Sequence, residues 1–131
     1  MSSTSCSIQR IKFCKIDKAA VIPRRQTTGA AGYDLHSIEN VCIGPQESVI
    51  IRTGLFILLR PEIFGMIFSR SGLSYKNGIE VKNSYVVDRK EIVITVVNNT
   101  NIPFVVESGM RVAQLVFIKK DERRFNRVGS S

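Results

Sequence analysis

Residues 91–119 read EIVITVVNNTNIPFVVESGMRVAQLVFIK, and this stretch decides the fold class. Two runs, Glu91–Val97 and Arg111–Lys119, are dominated by Val and Ile, with polar residues set among them. Branched side chains of this kind suit a pleated, half-buried surface better than a helix. Asn98-Asn99 and Ser108-Gly109 interrupt the pattern with turn-forming residues. The same grammar extends outward. Ile8–Ile16, Ser48–Thr53, Leu55–Leu59 and Phe64–Ser69 read as further short strands, with turn signals at Gly44-Pro45, Arg60-Pro61 and Asn77-Gly78. No stretch of twelve or more residues carries a clean helical stripe, and only a short helical turn near Ser71–Tyr75 is expected. The chain is therefore read as all-β, an antiparallel sandwich or barrel.

At 131 residues the chain is sized for a single domain, 1–131, with flexible tails expected at about 1–7 and 120–131. Hydrophobic residues make up 44% and charged residues 23%, which argues against general disorder. No apolar run is long enough for a membrane span, and MSSTSCSIQR has no apolar core of a secretory signal. Cys6, Cys14 and Cys42 are odd in number and form no CxxC pair, so a disulfide framework or zinc site is not expected. A reducing, intracellular compartment (cytoplasm, nucleus or both) fits them. His36 is the single histidine, which excludes two-histidine zinc chemistry. The net charge of +8 favours a polyanionic partner or serves solubility alone. Nucleic acid ranks last among such partners, because the aromatic and basic residues are not interleaved as stacking platforms require.

Three segments combine residue types suited to chemistry. Gly29-Ala30-Ala31-Gly32-Tyr33-Asp34-Leu35 sets a carboxylate behind small residues that allow close backbone approach. By itself it is better read as a glycine-rich turn entering a strand, with Tyr33 in the core. Phe68-Ser69-Arg70-Ser71-Gly72-Leu73 ends an apolar strand in a guanidinium, a hydroxyl and turn N–H groups, the parts of a phosphate cradle. Its plainer reading is a solvated polar turn. In Gly109-Met110-Arg111-Val112-Ala113-Gln114, Arg111 and Gln114 break an apolar strand. An amide there needs a partner or exposure, since an unpaired buried one costs ~1–3 kcal/mol.

Taken together and in this order, Ala31-Gly32-Tyr33-Asp34-Leu35, Arg70-Ser71-Gly72-Leu73 and Gly109-x-Arg111-x-Ala113-Gln114 resemble the first, second and fourth motifs of the trimeric dUTPase family. The resemblance runs from about Ile8 to Lys119. It implies a jelly-roll or distorted-barrel subunit, a homotrimer with active sites between subunits, and Mg²⁺-dependent hydrolysis of dUTP to dUMP and pyrophosphate. It further implies that Asp34 holds Mg²⁺ through water, that Arg70 and Ser71 contact the triphosphate, and that Gly72 offers a close backbone approach. Gln114 would order water or phosphates, while Arg111 would brace its strand.

The third family segment, of the type Gly-Val-Ile-Asp-x-x-Tyr-Arg-Gly, is altered. The corresponding stretch runs from Ile79 through Ser84-Tyr85-Val86-Val87-Asp88-Arg89 to Ile92, about two residues shorter, and such a change shifts hairpin register. One alignment places Tyr85 at the position of the family's catalytic Asp. The other keeps Asp88 as that carboxylate. Asp88 is thus the candidate base and Tyr85 a candidate substrate contact. The fifth motif, a glycine-rich arm, has as its counterpart Arg123 to Ser131, where Val128 stands in place of a Phe. Two functional readings remain open at this point. One is a dUTP diphosphatase using Asp88; the other is a catalytically impaired relative that acts by binding a protein or nucleotide. A related branch that deaminates dCTP matches the motifs less closely.

Overall fold

The computed structural model describes residues 11–23, 32–70 and 77–119, and the short branched runs form strands throughout them. In chain order these are β1 (Lys12–Lys15), β2 (Gly32–His36), β3 (Val41–Ile43), β4 (Ser48–Arg52), β5 (Leu55–Leu58) and β6 (Ile63–Ser69). They continue with β7 (Ile79–Val81), β8 (Ser84–Val86), β9 (Val93–Asn98), β10 (Phe104–Val106) and β11 (Arg111–Lys119). A four-stranded sheet has the order β2-β11-β6-β8 and a three-stranded sheet the order β4-β9-β7; β1 pairs with β5, and β10 with β3. Every pairing is antiparallel.

Alternation along the strands builds the core. In β9, Ile94 and Val96 are buried while Val93, Thr95 and Val97 lie on the other face. In β5, Leu55 and Ile57 point inward, and Ile67 of β6 and Leu115 of β11 do the same from the larger sheet. Full burial of side chains this size stabilises by roughly 1.5–3 kcal/mol each. Phe13, Tyr33 and Phe117 close one side of this core with mutual ring contacts at 5.5–6.3 Å between centroids.

Turn chemistry matches the residues supplied. Gly78 and Gly109 have φ of 67° and 91°, a region open to glycine at little cost. Asn98 departs from the expected turn role. It ends β9 fully buried, donating from Nδ2 to the carbonyls of Ile43 and Ile102, and accepting at Oδ1 from Thr100. The amide thus ties two separate segments, Ile43 and the Thr100–Ile102 loop, which lets a polar residue sit in the interior. Asn77 has helical backbone; the turn expected at Ser71–Tyr75 lies outside the described residues.

Strand β11 carries one irregularity that shapes the site. Arg111 opposes His36 and Ala113 opposes Leu35, so one extra residue is inserted on β11. This β-bulge reverses the in–out parity. Val112 and Ala113 are consecutively buried, and Arg111 and Gln114, three residues apart, emerge on the same face.

Candidate active site

Asp34, His36, Arg111 and Gln114 share one face of the β2–β11 ladder, where Gln114 directly opposes Asp34 and Arg111 opposes His36. Strand β6 ends beside them: Phe68 opposes Gln114, and Arg70 follows Ser69, the last residue of β6. The described residues of the first, second and fourth sequence motifs, with Arg70 alone standing for the second, therefore converge at one end of the four-stranded sheet.

Asp34 is only 7% exposed and is ionically satisfied from two sides. Arg111 Nη1 donates to Asp34 Oδ2 at 3.2 Å. Arg70 Nε lies 3.6 Å from Asp34 Oδ1, a looser ion pair. The two guanidiniums offset the desolvation of a buried carboxylate. Among the described residues they leave the cluster with one surplus positive charge, in a half-open setting suited to a polyanion. His36 is held below its ordinary pKa, chiefly by burial; the charges of Arg111 and Arg70 push the same way, and Asp34 opposes them. Its Nδ1 is buried with no hydrogen-bond partner among the described residues.

Gln114 is fixed by its neighbours. Its Nε2 donates to the Ser69 carbonyl at 3.2 Å. Its Oε1 lies over Gly32, where an added Cβ would come within 2.7 Å. The glycine is thus a seat for the amide, a use of the small residue that the sequence reading left as general backbone approach.

The other predicted residues fall elsewhere. Ser71 and Gly72 lie outside the described residues, as do both tails and Cys6. Tyr85 sits on β8, the opposite edge strand of the sheet, on the same face as Asp34 but three strand spacings, roughly 14 Å, away. It is 66% exposed, with its ring against Phe64. Asp88 lies in the turn after β8. Its Oδ1 accepts from Leu59 N at 2.6 Å, and its Oδ2 pairs with the adjacent Arg89 at 3.3 Å. Since Val86 pairs with Gly65, this turn is at the far end of β6 from Arg70, roughly 17 Å along the strand. Within one subunit the structure brings together Asp34, Arg70 and Gln114, and separates from them Tyr85 and Asp88. Sequence reading missed His36 as a neighbour of Asp34, although strand alternation puts residues two apart on one face.

No group of three or more His, Cys, Asp or Glu that could enclose a metal occurs among the described residues. A lone carboxylate does fit Mg²⁺, which keeps several waters and is bound by one or two carboxylates together with substrate phosphates. Cys14 and Cys42 are free thiols, and no helix among the described residues is long and apolar enough to cross a membrane.

A carboxylate shared by two arginines and faced by an amide, at the end of an antiparallel sheet, marks a class of β protein with a cationic site suited to a polyanion. The sequence model of the dUTPase family matches residues 18–130, and the chain belongs to that family. It is 44% identical over 114 residues to the deoxyuridine 5'-triphosphate nucleotidohydrolase of Encephalitozoon cuniculi, covering 86% of this chain and 79% of that protein. The enzyme of the same name from Antonospora locustae is 42% identical over 102 residues, covering 76% and 71%. Among solved structures, the dUTPase from phage phi11 of S. aureus superposes with a TM-score of 0.80 at 21% identity, over 83% of this chain and 89% of that one, so the fold is shared. The family's reaction is the Mg²⁺-dependent hydrolysis of dUTP, and the family is trimeric.

Proposed function

We infer that this chain hydrolyses dUTP to dUMP and pyrophosphate, in a site completed between subunits of a homotrimer. The observation that carries the reading is the buried Asp34 held between Arg70 and Arg111 and faced by Gln114. Attack of water on a phosphoryl group needs charge neutralisation, alignment and a base for the water. Arg70, with Ser71 beside it, binds and aligns the triphosphate. Gln114, seated on Gly32, orders water or phosphate oxygens. Asp34 would hold Mg²⁺ through water, and the ion would supply neutralisation of phosphate charge. Tyr85 and the Asp88 turn, remote from this cluster in their own subunit, face a neighbour's site. There Asp88 takes the proton of the attacking water.

Subunit contact is supported by the same sheet face. Phe64, Met66, Phe68, Tyr85 and Val116 line it by register and lie apart from the core cluster. An apolar sheet face of this kind calls for a covering surface. Free thiols at Cys14 and Cys42 fit an intracellular setting. The test is pyrophosphate release from dUTP with Mg²⁺, beside a light-scattering mass. Turnover well above buffer from a particle of three chains is expected. A folded protein releasing pyrophosphate no faster than buffer overturns the hydrolase reading.

A further inference from the structure

We propose that Ser69 is a positioning residue for the nucleotide site, acting through the Gln114 amide. The inference rests on the function proposed above and deepens it.

Strand β6 outruns one of its neighbours. Its pairing with β8 stops where Ile67 meets Ser84, while β11 continues alongside as far as Ser69, which opposes Ala113. Phe68 and Ser69, which end β6, therefore have ladder support from β11 but none from β8. A strand end held from one side opens readily. The Ser69 hydroxyl supplies the missing side. Its Oγ accepts from Val81 N at 2.8 Å and donates to the Val81 carbonyl at 3.2 Å. These are the two bonds that a facing strand residue would exchange.

Val81 is placed to receive them. It belongs to β7, an edge of the three-stranded sheet, and the next residue, Lys82, sends its N–H to the Thr95 carbonyl of β9. The N–H and C=O of Val81 consequently turn away from β9 and toward β6. Val81 is buried, so bulk water is a poor substitute for the hydroxyl.

What this clamp holds is a carbonyl. Gln114 Nε2 donates to the Ser69 carbonyl at 3.2 Å, and this bond, with the seat over Gly32, sets the direction of the amide. The amide nitrogen carries two hydrogens, so a second remains for water or a phosphate oxygen. The chain of contact runs from the Val81 backbone through Ser69 to Gln114 and so links the smaller sheet to the site. Without the hydroxyl the end of β6 is released, and the amide loses a fixed acceptor while Gln114 itself is unchanged.

The experiment is a double-mutant cycle on pyrophosphate release from dUTP with Mg²⁺, using the full chain: the unaltered protein, Ser69→Ala, Gln114→Ala and the double variant. Thermal midpoints are measured beside it. Ser69→Ala is expected to lower kcat/KM by roughly 5- to 30-fold in the unaltered background, but by less than about 2-fold where Gln114 is already alanine. The midpoint falls in both backgrounds, because Val81 loses its partner whichever side chain stands at 114. Ser69→Thr keeps the hydroxyl and recovers most of the rate. A residue that only supports the fold lowers the rate by the same factor in both backgrounds. Should Ser69→Ala fold poorly, Ser69→Cys, with a weak donor and acceptor, carries the cycle through the same comparison. Equal factors in the two backgrounds, a full rate in Ser69→Ala, or a Ser69→Thr as slow as Ser69→Ala each overturn this inference and leave the proposed function standing. An unaltered protein that releases pyrophosphate no faster than buffer overturns both.

Discussion

Replacing Gly32 with alanine separates the site from the fold. The new Cβ would sit 2.7 Å from Oε1 of Gln114 and 3.7 Å from its Cβ and Cδ, so the collision is with the tip of a flexible side chain rather than with backbone. The tip can move, and its movement gives up the 3.2 Å bond from Nε2 to the Ser69 carbonyl. Loss of that bond costs about 0.5–1.5 kcal/mol. Gly→Ala in an extended strand returns about 0.4–1 kcal/mol by restricting the unfolded chain. Stability is expected to change by less than about 1 kcal/mol. The site fares worse, because a displaced amide no longer meets charged phosphate oxygens or the water it orders. A hydrogen bond to a charged group is worth about 1.5–3 kcal/mol, so kcat/KM is expected to fall by about 10- to 100-fold. Urea denaturation and pyrophosphate release on one preparation measure both. Full activity in Gly32→Ala, or destabilisation beyond about 3 kcal/mol, would refute the assignment of Gly32 as the seat of Gln114.

Three further outcomes follow from other parts of the molecule. Asp88→Asn keeps an oxygen acceptor for Leu59 N, so the thermal midpoint should hold, while turnover should drop about 10²- to 10⁴-fold in a dUTP assay if the carboxylate is the base. Asn98→Ala strips donors from the Ile43 and Ile102 carbonyls at a fully buried position; a loss of about 2–3 kcal/mol, or about 9 °C in Tm, is expected by calorimetry. For His36 the folded pKa lies below the unfolded value, chiefly through burial. The unfolded chain therefore binds the extra proton as pH falls below about 6.5, and stability declines from there until the folded pKa is passed. A Tm-against-pH profile should be flatter in His36→Asn, and parallel profiles would contradict the burial argument.

The longer strands were legible because their side chains announce them. Arg111–Lys119 was read to its ends, and the Ser48, Leu55 and Phe64 runs within a residue. Strands β3, β7, β8 and β10 have three residues each, too few for a periodicity to show, and they exist because longer neighbours offer them a ladder. The site was half legible for a similar reason. Asp34 and Gln114 could be singled out by residue type, and their direct opposition follows from long-range register. The meeting of Arg111 with Gln114's face was unreadable, since residues three apart on a regular strand point opposite ways and nothing local announces a bulge. The anchoring of Asp88 to Leu59 joins positions 29 residues apart, which only the assembled sheet reveals.

The extra residue in β11 makes that strand more sensitive to length than to composition. Inserting one residue between Arg111 and Gln114 while the bulge persists would turn the arginine toward the hydrophobic interior, away from its carboxylate, whereas excising Val112 or Ala113 would straighten the ladder and leave it two positions from Gln114, on the Asp34 face. Conservative swaps at the same positions leave the geometry standing. A length scan of this strand should therefore show a sharper drop in soluble, nucleotide-competent protein for one-residue insertions than for one-residue deletions at Val112 or Ala113.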